Sequence, residues 1–179
     1  RHWIKTHPPK GGYKPSNMPR ALFVEQFGDI FEHTPLIAER THRKGFDASA
    51  DTAAGLHAAL VAEMRTLSHD DKLTLINAHP DLAGRLAIAK QLTSDSTTEQ
   101  SSAGLDQLSA SELGKFTALN DAYKSRFGFP FIMAVKGRTK SEILAAFETR
   151  LNNSPDAEFE TALGQIERIA GLRLKDRLP

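Results

Sequence analysis

Ser111-Glu112-Leu113-Gly114-Lys115-Phe116-Thr117-Ala118-Leu119-Asn120-Asp121-Ala122-Tyr123-Lys124-Ser125-Arg126-Phe127-Gly128 is the stretch whose reading decides the fold class. Leu113, Phe116, Leu119, Ala122 and Tyr123 recur at threes and fours, so the apolar side chains share one face of a helix. Ser111 reads as its opening residue and Gly128 as the glycine that ends it. The same spacing recurs on both sides. Upstream it runs through Ala21, Leu22, Val24, Phe27, Ile30 and Phe31, restarts after Thr34-Pro35, and after Asp51-Thr52 carries Leu56, Leu60, Met64 and Leu67. Ser68 with Asp71, and Thr139 with Glu142, have the three-residue offset of a capping box. Pro155 starts a last helix with Phe159, Ala162, Leu163, Ile166, Ile169 and Ala170 on one side. No segment alternates with period two for long. The prediction is an all-α fold, a compact single-domain bundle of about eight helices with no sheet.

Composition bounds the function classes. A chain of 179 residues lies within the roughly 100–200 residues of one domain. Residues 1–18, rich in Pro and Gly, read as an arm or linker, and residues 19–179 as the domain. The Ser/Thr-rich stretch from Gln91 to Ser111 has a linker's composition, but the pieces on either side would be too small to bury adequate cores. Mean hydropathy of −0.38 and the lack of any apolar run approaching about 18 residues argue against a membrane span. With 23 basic against 22 acidic residues, scattered along the chain, there is no nucleic-acid footprint. The absence of cysteine excludes disulfides, thiolate metal sites and a thiol nucleophile, and fits a reducing, cytoplasmic setting. No n-region and h-region of a secretory signal are visible at the start, and Arg177-Leu178-Pro179 does not read as a peroxisomal address. Opening at Arg1 without a methionine, the chain reads as trimmed or as a piece of something longer, from which an address could have been lost.

Four constellations could carry chemistry. In His79-Pro80 the proline drives His79 out of the helical region and starts a new helix through Leu82, Leu86 and Ile88. His79 therefore sits at a corner, either as a helix-end histidine on backbone carbonyls or as an acid or base in a cleft. In Ser96-Thr97-Thr98-Glu99-Gln100, Glu99 either turns back to cap Ser96 or helps a helix N-terminus hold a small anion. In Phe127-Gly128-Phe129-Pro130-Phe131-Ile132-Met133-Ala134-Val135 the chain becomes extended and strongly apolar after Pro130. Buried amides need partners; here those are either loops and water, or a ligand's oxygens received as in an oxyanion hole. Arg173 follows 162, 166 and 169 on the apolar face of the last helix, so it pairs with a structural carboxylate or reaches a substrate. No metal-ligand, dinucleotide, P-loop or acyl-serine motif occurs. The expected chemistry is free of metal and cofactor.

Together, Asn77-Ala78-His79-Pro80-Asp81-Leu82-Ala83-Gly84-Arg85, Ser96 with Glu99-Gln100 and Ala103-Gly104-Leu105, Tyr123, Phe127 to Ile132, Gly137-Arg138 and Arg173-Leu174 resemble the 2-oxo-4-hydroxy-4-carboxy-5-ureidoimidazoline decarboxylases in order and spacing. The resemblance covers roughly Pro19 to Leu178. It implies an all-α, cofactor-independent homodimer acting on a small purine-derived substrate, and yielding (S)-allantoin and CO2 during urate degradation. It assigns His79 as catalytic acid, Glu99 as catalytic and substrate-binding, and Pro80, Ser96, Thr97, Thr98, Gln100, Phe131, Ile132, Met133, Ala134, Val135 and Arg173 to the substrate. Arg1-His2-Trp3-Ile4-Lys5-Thr6-His7-Pro8-Pro9 is in turn similar to the closing residues of polysaccharide-deacetylase-type allantoinases, which implies a fusion to, or pathway association with, such an enzyme. The alternatives are another cofactor-free lyase or ureido hydrolase on the same scaffold, and an inactive helical interaction module.

Overall fold

The computed structural model describes residues 14–81 and 108–179. Among them every regular element is helical, and no strand occurs. Seven α-helices are present: α1 (Arg20–Phe27), α2 (Leu36–Lys44), α3 (Ala53–Arg65), α4 (His69–Ala78), α5 (Ala110–Phe127), α6 (Lys140–Arg150) and α7 (Pro155–Lys175). Two 3-10 turns, Pro15–Asn17 and Ala48–Asp51, precede α1 and α3. The predicted class is the observed one. The helix expected through Leu82, Leu86 and Ile88 lies outside the described residues.

Most helix starts fall where the capping chemistry put them. Thr52 accepts the Gly55 N–H at 3.1 Å to open α3, and Ser68 accepts the Asp71 N–H at 3.1 Å ahead of α4. Thr139 and Glu142 form the full reciprocal box at the start of α6. One start differs. The cap of α5 is Ser109, not Ser111, because Ser109 has the reciprocal partner: its hydroxyl takes the Glu112 N–H while Glu112 takes the Ser109 N–H. Two orphan donors are satisfied at once, which a cap at Ser111 would not achieve with Glu112. At the other end Gly128 adopts φ 76° and gives its N–H to the Lys124 carbonyl at 2.8 Å. That left-handed geometry is cheap only without a Cβ.

The described residues cluster into two compact units. The first holds residues up to Ala78 and from Glu167 onward. Its core is built from Phe23, Ile37, Leu56, Leu60, Met64 and Ile76, all at most 1% exposed. Polar ties lie around this core. Ser16 donates through both its amide and its hydroxyl to the Asp51 carboxylate at 2.8 and 2.7 Å, and Lys44 pairs with the buried Glu63.

The second unit runs from His79 to Ile166. Its core is aromatic. Tyr123 of α5 and Phe147 of α6 enclose Phe131, with Phe131 and Phe147 stacked at 3.7 Å and Tyr123 edge-on to Phe131 at 5.2 Å. Burial of side chains this large contributes on the order of 1.5–3 kcal/mol each. The rings therefore fix where the chain runs after Pro130. Residues 130–135 carry no helix, bend or turn, and Phe131, Ile132, Met133, Ala134 and Val135 are all buried.

Candidate active site

His79 follows directly on α4 and is 8% exposed, while the adjoining Pro80 is exposed. The proline ends the helical run at Ala78, as the steric rule requires. Two residues on, Asp81 accepts a hydrogen bond from Lys124 Nζ at 2.9 Å. Lys124 sits beside Tyr123 on α5, so one helix anchors the His79 corner through a charge and the Phe131 run through a ring.

The Phe131–Val135 run is held by side chains. Arg150 Nη1 donates to the Ile132 carbonyl at 2.7 Å, and the Arg150 guanidinium lies 4.3 Å over the Phe131 ring. Gln165 Oε1 accepts the Ala134 N–H at 3.0 Å. Beyond the run, Arg138 gives its N–H to the Val135 carbonyl at 3.0 Å, and the turn between them uses Gly137 at φ 79°. Arg150 is itself pinned, since its Nε donates to Glu158 Oε1 at 2.5 Å. Glu158 is 0% exposed and also accepts from Tyr123 OH at 2.5 Å and Asn153 Nδ2 at 3.0 Å. Three donors converge on that carboxylate, which is how a buried charge is tolerated. Burial pushes the Tyr123 phenol well above the ordinary tyrosine range, and donation to the anionic Glu158 pushes it the same way.

The expected partners of this run were loops, water or ligand. The structure supplies others: for Ala134 N–H a glutamine, and for Ile132 C=O an arginine. Both side chains reach in from neighbouring helices.

Arg173 belongs to the first unit. Its Nη2 donates to Glu32 Oε2 at 2.9 Å, and Nη1 to the carbonyls of Ile30 and Asp29 at 3.2 and 3.3 Å. Of the two partners left open for it, the carboxylate is present. Ser96, Thr97, Thr98, Glu99 and Gln100 lie outside the described residues.

Arg150, Glu158, Gln165 and Lys124 were not singled out from sequence. Arg150 had a readable signal, because the steps 143, 147 and 150 put it on the apolar face of α6. So did Glu158, at the head of 158, 162, 166 and 170 on α7. A charge on each of two buried faces implies a pair. Asn120 is similar: it is 1% exposed on the inner face of α5, and its Oδ1 has no partner among the described residues.

No helix among the described residues is long and apolar enough to cross a membrane. Fold and site thus define a helical protein, strandless among its described residues, whose buried histidine and strapped apolar run share one compact unit. The sequence model of the OHCU decarboxylase family matches residues 16–175, and the chain belongs to that family. It is 43% identical over 155 residues to the 2-oxo-4-hydroxy-4-carboxy-5-ureidoimidazoline decarboxylase of Haloferax volcanii, covering 87% of this chain and 88% of that one. It is 39% identical over 162 residues to the uric acid degradation bifunctional protein of Bacillus subtilis, covering 90% of this chain but 31% of that protein. Among solved structures it superposes on (S)-allantoin synthase with a TM-score of 0.73 at 33% identity, over 92% of this chain and 52% of that one. A crystal structure of OHCU decarboxylase in the presence of (S)-allantoin gives a TM-score of 0.60 at 29% identity, over 79% of this chain and 89% of that one.

Proposed function

We propose that this chain is a carboxy-lyase that converts 2-oxo-4-hydroxy-4-carboxy-5-ureidoimidazoline to (S)-allantoin and CO2, in urate degradation. The observation that carries the reading is family membership over residues 16–175. It is joined by the burial of His79 at a proline-fixed corner in the same compact unit as the strapped run.

The substrate's ring imine accepts the electron pair released when the bond to CO2 breaks, so the protein need not supply an electron sink. Its tasks are to hold the carboxylate out of the ring plane, to stabilise charge growing on the ring, and to set a proton on one face. In this reading His79 manages the proton, with Pro80 lining the pocket. Backbone amides within residues 132–135 receive ring or carboxylate oxygens, that of Ala134 excepted because Gln165 already holds it. Glu99 grips the ureido or hydroxyl hydrogens, with Ser96, Thr97, Thr98 and Gln100 beside it. The family resemblance also assigns Arg173 to substrate, through guanidinium hydrogens that Glu32 and the two carbonyls leave over. A placed acid contributes about 10²–10⁴-fold, and each well-aimed amide on the order of 2.7–4 kcal/mol.

A cytoplasmic homodimer is part of the proposal. So is pathway association with allantoinase; the similarity to part of two bifunctional proteins of uric acid degradation supports fusion within that pathway, without naming the other enzyme. The test is to add the chain to freshly generated urate-oxidation intermediate and follow circular dichroism. Optically active allantoin is the expected product. Racemic product at the background rate would point to an interaction module, and loss of the ureido group to a hydrolase.

A further inference from the structure

Residues 131–135 contain no bend or turn, and in an extended chain the main-chain groups of successive residues face alternate edges. The two side-chain anchors fall on residues of one parity. Arg150 takes the carbonyl of Ile132 at 2.7 Å, and Gln165 takes the amide of Ala134 at 3.0 Å. Both anchors hold even-numbered residues, which share one edge of the run where it alternates as a strand does. The other edge carries the amides of Met133 and Val135, neither of which is engaged among the described residues.

We propose that Gln165 and Arg150 are positioning residues for the decarboxylation: by clamping the even-numbered edge they present the Met133 and Val135 amides, and not that of Ala134, to the oxygens of the substrate. This rests on the reading that the run receives substrate. Amides fixed before substrate arrives need no reorganisation during the reaction, which is what makes such donors effective. Arg150 is itself held, since Glu158 takes its Nε from behind, and Gln165 projects from α7. Gln165 does a second thing. By occupying the Ala134 amide it satisfies a buried donor that would otherwise lack a partner.

Gln165→Met keeps length and loses the acceptor, whereas Gln165→Glu keeps an acceptor oxygen. Steady-state kinetics on freshly generated substrate, urea unfolding, and hydrogen exchange at the Ala134 amide are measured for the wild-type chain and both variants. Gln165→Met is expected to lower kcat about ten- to hundredfold, the cost of a misplaced donor set. KM rises with it, which a smaller folded fraction alone would not produce. The unfolding midpoint falls modestly, as one buried amide loses its partner, while the protein stays folded under assay conditions; Ala134 exchange quickens, and Gln165→Glu recovers most of the rate and the protection. An active wild type with unchanged kinetics in Gln165→Met overturns the inference alone, as does equal loss in both variants. A wild-type chain that does not decarboxylate overturns the functional reading and this inference with it.

Discussion

Arg150 and Glu158 close an ion pair at 2.5 Å between side chains that are 9% and 0% exposed. The pair joins the end of α6 to the first turn of α7 and, through Arg150, reaches the backbone of the candidate site. Removing one partner strands the other charge in the interior. Arg150→Met should therefore cost about 3–5 kcal/mol of unfolding free energy. The double variant Arg150→Met with Glu158→Gln should be more stable than Arg150→Met alone. Urea unfolding measures both, and a single variant as stable as the wild type would show that the pair carries no stability.

Tyr123 extends the same network into a pH dependence. Its phenol is held above the ordinary range by burial and by donation to Glu158, so the folded chain keeps a proton that the unfolded chain releases near its usual pKa of about 10. The Tyr123 contribution is whole below that pH and is lost as pH rises beyond it, by up to about 1.4 kcal/mol per pH unit. Tyr123→Phe should flatten this alkaline decline relative to the wild type. Parallel stability curves for the two proteins above about pH 10 would contradict the raised phenol.

Lys124 and Asp81 offer a separation of activity from stability. Their side chains are 49% and 23% exposed, so the pair contributes less than about 1 kcal/mol to folding. It nevertheless ties down the corner that carries His79. Lys124→Met is expected to leave the melting temperature almost unmoved while lowering kcat about tenfold, through looser placement of the imidazole. An unaltered kcat would show that the corner is held without it.

Arg173 shares a guanidinium between structure and the proposed substrate contact. Its partner Glu32 is partly exposed, and the side chains of the pair are 32% and 24% accessible, so the structural share is about 1 kcal/mol or less. Arg173→Gln should raise KM about tenfold or more if a charged hydrogen bond to substrate is lost. A KM equal to that of the wild type would leave Arg173 as the partner of Glu32 alone.

The helical periodicity and the capping boxes were legible because they are local: Thr139 with Glu142 and Gly128 at its left-handed turn need only their neighbours. The His79 corner was equally legible, since the steric demand of Pro80 acts on the residue before it. What bound Ile132 and Ala134 was not, because Arg150 and Gln165 arrive from helices 18 and 31 residues away. Periodicity places a residue on a face, and the partner across from that face depends on packing. The α5 cap shows the same limit at short range. Ser109 and Ser111 are both good caps by composition, and only the reciprocal bond to Glu112 separates them.

The role of His79 is tested most sharply by His79→Ala, assayed on freshly generated substrate with the folded state checked by urea unfolding. At least a hundredfold loss of kcat is expected, about 2.7 kcal/mol in the barrier, in a protein that unfolds much as the wild type does. A folded His79→Ala protein that still makes optically active allantoin at the wild-type rate would remove the histidine from the chemistry and contradict the site described above.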